Sequence, residues 1–232
     1  MLVGAGKARL RLAQAALLAG VLTGCSGAAE DDAKTSSSAS ASADAASADD
    51  TTVKSGGSIG AAGSACELPV TFDIAEDWKA EAIDDGTGGG GEDSAEPDSE
   101  LAQEVADALL HQGPVTAACE VDAKPAGNIG FLRVWTGEAA DDDARAVLEA
   151  FVKAENGASK AKYSTFGAGG LKGVEVKYLV TSELLEETKE ETALAVSTKQ
   201  GPVVIHLGGM DTDEHRAMLP AYELAKRTLQ GT

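Results

Sequence analysis

One cysteine of this chain stands where its thiol can be covalently modified. Cys25 directly follows Leu22, Thr23 and Gly24, just beyond a short apolar run. A deprotonated thiol is a strong nucleophile, and small residues in front of it let an enzyme approach the backbone. The residue types and their spacing therefore predict a modified Cys25.

The segment before Cys25 has the three zones of a secretory signal. Lys7, Arg9 and Arg11 form a basic start, residues 12–21 are apolar, and small residues precede the cysteine. The apolar core is shorter than the ~20 residues that a membrane-spanning helix needs. The residues LTGC resemble the lipobox of bacterial lipoproteins, which implies diacylglyceryl attachment to Cys25, cleavage before it and lipid anchoring on the extracytoplasmic face of the cell membrane. The alternative is an ordinary secreted protein with a chance cysteine near its signal.

Lipidation of Cys25 would leave Cys66 and Cys119 as an even pair of thiols. In an oxidising compartment such a pair predicts a disulfide, and two buried thiols or a metal-binding pair are the alternatives. Two cysteines 53 positions apart with no histidine close by lack the ligand spacing of a zinc site. Loop closure by a bridge of this span would contribute about 4 kcal/mol.

The other residues that could do chemistry have structural explanations. We predict His111 at a helix end, His206 on the outward face of a strand, and His215 in the first turn of a helix that acidic residues cap from position 211. The acids around position 211 lack the spacing of an EF-hand loop, and the glycine run at 86–91 lacks the Lys-Ser/Thr pair of a phosphate loop. Ser58 lies between glycines, but in a stretch predicted to be disordered, where no nucleophile elbow forms. We therefore expect no catalytic residue, no metal, no cofactor and no enzyme.

The chain carries a large excess of acidic residues. It has 19 Lys and Arg against 38 Asp and Glu, a net charge of −19, and loss of the three basic residues before Cys25 leaves 16 against 38, or −22. So acidic a surface repels phosphate backbones, which predicts no nucleic-acid binding. The excess suits solubility, and it also suits a basic partner.

Composition divides the chain into a signal peptide at 1–24, a tether at 25–65 and a folded domain at 66–232. The tether is mostly Ala, Ser, Asp, Thr and Gly, which cannot bury enough apolar surface to offset chain entropy, so we expect it to be disordered. A Gly-rich acidic stretch at about 84–98 interrupts the domain and is predicted as a surface insertion.

Hydrophobic periodicity predicts an α+β domain. Strands are expected at 69–74, 78–83, 115–123, 129–136, 163–166, 174–180, 192–198 and 203–207, and helices at 99–111, 141–155 and 212–229. The last strands alternate apolar and polar residues, which indicates antiparallel pairing with one buried face. The expected fold is an antiparallel sheet packed by a middle and a C-terminal helix.

The order of these elements resembles the PsbP-like fold and the LpqN-type lipoproteins of actinobacterial envelopes. The matching stretches are FDIAEDW at 72–78, DDARAVLEAFVKAE at 142–155, VEVKYLVT at 174–181, PVVIHL at 202–207 and AMLPAYELAKRTL at 217–229. The resemblance covers roughly residues 67–230 and leaves 84–113 unaligned. It implies a non-enzymatic binding or accessory role in the cell envelope and supplies no catalytic residue.

We therefore expect a lipid-anchored binding or accessory module. The alternatives are an envelope-stress signalling modulator that acts on a membrane sensor and, with less support, an envelope hydrolase. A small-ligand pocket between the sheet and the C-terminal helix is the site that the element order suggests. Tyr178, Tyr222 and Trp135 could line it, but core packing explains each of them as well, so the ligand-binding residues stay unassigned.

Overall fold

A computed structural model describes residues 53–83, 110–139 and 143–232. Outside the described residues lie the predicted signal peptide, Cys25, the predicted tether up to residue 52, the predicted insertion at 84–98 and nearly all of the helix predicted at 99–111.

The described residues form strands and helices in an α+β order, as predicted. The strands are β1 (Ser55–Ile59), β2 (Val70–Ala75), β3 (Lys79–Ala82), β4 (His111–Gln112), β5 (Val115–Asp122), β6 (Gly130–Thr136), β7 (Ala158–Ala168), β8 (Leu171–Ser182), β9 (Glu187–Thr198), β10 (Gly201–Gly209) and β11 (Gln230–Gly231). The α-helices are α1 (Ala144–Ala154) and α2 (Thr212–Thr228), and a 3-10 turn spans Lys124–Ala126.

The strands build one large and one small sheet, both antiparallel. The large sheet has the order β3-β5-β6-β10-β9-β8-β7, with β4 beside β5, and the small sheet has the order β1-β2-β11. Strands β7 to β10 form a meander of hairpins. Strand β10 then pairs with β6, and the last residue of β10, Gly209, lies opposite Gly130. This pairing joins the meander to the β5–β6 hairpin on the other side of α1 in the sequence.

Both faces of the large sheet are covered at its central strands, which differs from the half-buried strands that alternation predicted. Val203, Ile205 and Leu207 of β10 pack with α2 and the small sheet, whereas Val204 packs with α1 on the opposite face. Every residue of β10 is buried. The polar positions of an alternating strand are usually solvated, but here α1 covers them.

Each helix turns one apolar stripe to the sheet. Val147, Leu148, Phe151 and Val152 of α1 are buried at the spacing of one helix face. Helix α2 begins as the sequence predicted, because the Asp211 carboxylate accepts hydrogen bonds from the backbone N–H groups of its first turn. Neither helix that the structure describes is long and apolar enough to cross a membrane.

The folded domain begins before Cys66, so the predicted tether boundary at residue 65 is wrong. Strand β1 pairs with β2, with Ile59 opposite Phe72. An edge strand is held by backbone hydrogen bonds as well as by apolar side chains, and composition alone does not detect the former. Gly60 shows why glycine suits this stretch: its φ is +103°, and a Cβ there would collide with the Val70 carbonyl.

Ser58 lies in this ordered strand, contrary to the predicted disorder. Residues 56–60 read Gly-Gly-Ser-Ile-Gly, which has nucleophile-elbow spacing. The Ser58 hydroxyl instead donates to the Phe72 carbonyl oxygen at 3.2 Å, and β1 leads into a turn rather than a helix. The hydroxyl therefore serves the pairing of β1 with β2.

Cys66 and Cys119 are joined by a disulfide, with their Cα atoms 6.0 Å apart. Both residues are buried within the core on the α2 side of the sheet. The bridge fixes the segment that follows β1 to β5 of the large sheet, so it fastens the small sheet to the large one.

Candidate functional site

A cleft of about 340 Å³ opens between α2 and the β7–β8–β9 end of the large sheet. It lies between the sheet and the C-terminal helix, the place that the order of elements suggests for a small-ligand pocket. Its lining residues are Lys160, Lys162, Lys177, Tyr178, Leu179, Glu190, Glu191, Thr192, His215 and Leu219.

Three exposed lysines border this cleft. Lys162 and Lys177 are cross-strand partners on β7 and β8, so their side chains leave the same face of the sheet. The register of β7 shifts between Ser159 and Lys162, and Lys160 has a φ of +54°. This bulge turns the strand locally and places Lys160 along the same cleft. Within the described ranges, none of the three lysines forms an ion pair.

Two acidic residues line the cleft, and both carboxylates are already paired with cations, that of Glu190 from α2 and that of Glu191 on the opposite face of the sheet. Glu190 receives hydrogen bonds from Arg216 at 3.0 and 2.8 Å, and this contact lowers the pKa of the Glu190 carboxyl. Glu191 contacts Lys189 Nζ at 2.7 Å and His206 Nε2 at 2.8 Å. The net charge of the cleft is therefore positive, in a chain whose total charge is −19.

His215 forms part of the cleft lining and has one ring nitrogen without a partner. Its side chain is only 1% exposed, and Nε2 lies 3.0 Å from the hydroxyl oxygen of Thr192. Among the described residues, nothing pairs with the buried Nδ1. Burial lowers the pKa of His215, so the ring is neutral at pH 7 and one ring nitrogen carries no proton.

A buried polar network lies on the opposite face of the same strands. The Tyr178 hydroxyl donates to Glu155 Oε2 at 2.6 Å, and its oxygen lies 3.3 Å from His206 Nε2. Because a carboxylate only accepts, His206 Nε2 must carry the proton that it donates to Glu191. Burial, followed by the charge of Glu155, raises the pKa of Tyr178. The phenol therefore stays protonated and acts as a fixed hydrogen-bond donor.

This network holds Glu191 ionised even though the residue is 2% exposed. Burial alone would raise the pKa of the carboxyl, but the neighbouring His206 and Lys189 outweigh it and the pKa is lowered. The arrangement fixes β8, β9 and β10 together beneath the cleft.

The histidines differ from their predicted positions. His206 was expected to face outward but is buried between the sheet and α1, with its ring 5.7 Å from that of Phe151. His111, expected at a helix end, lies in β4 and contacts the Thr116 hydroxyl. His215 is in the first turn of α2, as predicted, but it is buried. The burial of His206 and His215 was not predicted because alternation does not show which faces packed elements cover. His111 directly follows Leu110, which is helical, so its predicted place differs by one residue.

Of the three aromatic candidates, only Tyr178 is among the residues that line the cleft, and its side chain packs with Trp135 in the core on the α1 side. Tyr222 belongs to the core on the α2 side. The lysines of the cleft were missed, although a signal exists in the repeat of Lys160 and Lys162 on one strand. Interpreting it requires the pairing with Lys177, which the sequence does not specify.

A second cavity, of about 590 Å³, lies at the β3–β5 edge of the large sheet. The one guanidinium that lines it, that of Arg133, donates to the Glu120 carboxylate at 3.1 Å. The lining also includes Lys79, Glu81 and Asp122, so it holds two cations and three carboxylates. The cleft beneath α2 is therefore the better candidate for an anionic ligand. In the part of the chain that the structure describes, no group of His, Cys, Asp and Glu side chains could hold a metal ion.

Solved structures similar to this chain share little sequence with it. Cyanobacterial PsbP from Synechocystis is 12% identical with a TM-score of 0.46, and the match covers 76% of this chain and 98% of that one. LpqN of Mycobacterium tuberculosis, whose structure is described as involved in cell envelope biogenesis, is 13% identical with a TM-score of 0.42, over 76% and 91% of the chains. A protein of unknown function from Pseudomonas aeruginosa, described as a putative regulator, is 17% identical with a TM-score of 0.35, over 43% and 70%.

No curated protein matches the sequence. A family model described as "Uncharacterised lipoprotein" matches residues 35–229. This match spans most of the chain and the whole of both α-helices and the large sheet. The chain therefore belongs to this family of lipoproteins.

Proposed function

We propose that this lipoprotein is a non-enzymatic binding module of the cell envelope that holds an anionic ligand in the cleft beneath α2. In this proposal lipid on Cys25 anchors the chain on the extracytoplasmic face of the membrane. Membership of a lipoprotein family supports the anchor, and the LTGC motif supports Cys25 as its site.

The observation that carries the ligand class is the set of three unpaired lysines around one cleft. Lys162 and Lys177 lie directly opposite each other on neighbouring strands, with Lys160 on the same cleft, and like charges so placed repel. An anion between them would relieve this repulsion and would receive three charge-assisted hydrogen bonds.

The size of the cleft limits the ligand to a small molecule or to one end of a larger one. A volume near 340 Å³ is at the lower limit for ligand pockets, which are typically ~300–1,000 Å³. Phosphate and carboxylate groups are the anions that lysines bind most often in proteins. A phosphate-bearing or carboxylate-bearing envelope component is therefore the expected class.

The test is calorimetric titration with pyrophosphate as the probe. The variant Lys160→Gln/Lys162→Gln/Lys177→Gln should bind about tenfold more weakly than the parent, since each exposed charge contact contributes roughly 0.5 kcal/mol. A matched control, Lys124→Gln/Lys172→Gln/Lys199→Gln, removes the same charge from exposed lysines elsewhere and should change the affinity less than about twofold. Recovery of intact pyrophosphate after the titration is the expected sign of binding without turnover.

Two results would contradict the proposal. If both triple variants weaken binding equally, the effect is that of net charge and the cleft is not the site. If the parent binds no pyrophosphate, inorganic phosphate or short-chain dicarboxylate, the proposed ligand class is wrong.

A further inference from the structure

One end of the large sheet carries every large apolar side chain that is exposed among the described residues. These are Leu184, 91% exposed, Leu185, 66%, Met210, 59%, and Ile129, 49%. Scattered exposed apolar residues are ordinary, whereas clustered ones mark interaction sites. We refer to these four residues as the apolar end.

The topology brings the apolar end together from three separate turns. Leu184 and Leu185 form the β8–β9 turn, Met210 follows β10, and Ile129 precedes β6. The Met210 backbone N–H donates to the Ile129 carbonyl oxygen at 3.1 Å. Leu185 and Met210 line one cavity of about 690 Å³.

The β8–β9 turn holds its leucines outward by specific hydrogen bonds. The Leu185 backbone N–H donates to the Ser182 hydroxyl oxygen at 3.2 Å, and the Thr181 and Thr188 hydroxyls pair across the hairpin at 2.9 Å. Glu186 completes the turn with a φ of +54°. These contacts fix the backbone of the turn and keep Leu184 and Leu185 at the surface. Burial of two leucine side chains inside the chain would lower the free energy of the fold, so their exposure is unfavourable in the isolated protein.

The rim of the apolar end is acidic. Glu187, Asp211 and Asp213 line the shared cavity, and Glu183 and Glu186 flank the two leucines in the sequence. The one cation of that cavity, Lys189, is occupied by Glu191 and by the Gly209 carbonyl oxygen at 2.8 Å. Apolar contacts at this end therefore lie within a field of negative charge.

We propose that the apolar end is a docking surface for a polypeptide segment that carries both apolar and basic side chains. Charge complementarity selects this partner, because opposite potentials steer association and suppress wrong partners. The same rim disfavours an anionic bilayer surface, which repels carboxylates. It also disfavours a second copy, which would bring an identical acidic rim. The apolar end is separate from the cleft beneath α2, and this proposal does not depend on the anionic ligand proposed for that cleft.

The test uses a fluorescent peptide that alternates Leu and Lys, with a peptide that alternates Leu and Glu as its counterpart. We expect the Leu/Lys peptide to bind the parent, and the Leu184→Ser/Leu185→Ser variant to bind it at least about tenfold more weakly. The side chains are exposed, so the variant should fold normally. Glu183→Gln/Glu186→Gln/Glu187→Gln should weaken binding and reduce its salt dependence. The control Glu76→Gln/Glu81→Gln/Glu138→Gln removes the same charge elsewhere and should leave binding nearly unchanged.

Other outcomes would overturn the proposal. Equal binding of the Leu/Lys peptide by the parent and the serine variant would show general attraction to an acidic protein. Leucine-dependent binding to phosphatidylglycerol vesicles would assign the apolar end to the membrane. Concentration-dependent dimers that the serine substitutions abolish would assign it to a second copy.

Discussion

Removal of the Cys66–Cys119 disulfide should destabilise the domain by about 4 kcal/mol. The bridge closes a loop of 53 residues, and the loss of loop-closure entropy in the unfolded chain gives this value at 25 °C. Domains of this size are stable by about 5–15 kcal/mol in total, so the loss would be a large share. Because both sulfurs are buried, the variant Cys66→Ala/Cys119→Ala adds a small cavity penalty in the same direction.

Urea unfolding of the oxidised and reduced protein, followed by tryptophan fluorescence, measures this loss. Trp78 and Trp135 lie in different cores, so both sides of the sheet contribute to the signal. With a slope of about 2 kcal/mol per molar urea, the midpoint should fall by about 2 M on reduction. The alanine variant is the control, since reductant should not shift its midpoint. Coincident midpoints for oxidised and reduced parent would refute the argument that the bridge fastens the two sheets.

Three further predictions concern single residues. Burial lowers the pKa of His215, so near pH 6.5 the unfolded chain takes up a proton that the folded chain does not bind. The free energy of unfolding should therefore fall as the pH drops below about 6.5, by up to ~1.4 kcal/mol per pH unit. In urea titrations, His215→Gln should reduce this dependence on pH. Glu191→Ala should cost about 3 kcal/mol in the same assay, because it leaves Lys189 and His206 without their carboxylate, and Glu191→Gln should cost less. Cys25→Ser should move the protein from the membrane fraction to the soluble fraction and remove the mass of the acyl chains; a parent without lipid would contradict the anchor.

Local signals in the sequence predicted the elements well. The turn between β5 and β6 and the start of α2 were anticipated because proline, glycine and a capping aspartate act within a few residues. The strand at the beginning of the domain was not, since Ser55–Ile59 has almost no apolar pattern and is held by pairing with β2. Its stability comes from a partner that composition does not reveal.

The candidate site depends on long-range contacts and was predicted only in outline. The position of a pocket between sheet and C-terminal helix follows from the order of elements. The chemistry of the pocket does not, because Lys160 and Lys162 meet Lys177 only through the register of β7 with β8. His206 shows the same limit, since its burial depends on α1 covering a face that alternation assigns to solvent.

The most direct test of the account is to map where an anion binds. Pyrophosphate titrated into isotopically labelled protein should shift backbone amide signals at 160–162, 177 and 190–192, together with the ring signals of His215. Signals near Lys124, Lys172 and Lys199 should stay in place. Shifts scattered over exposed lysines throughout the domain, or shifts confined to residues outside the cleft beneath α2, would contradict the proposal that this cleft is the binding site.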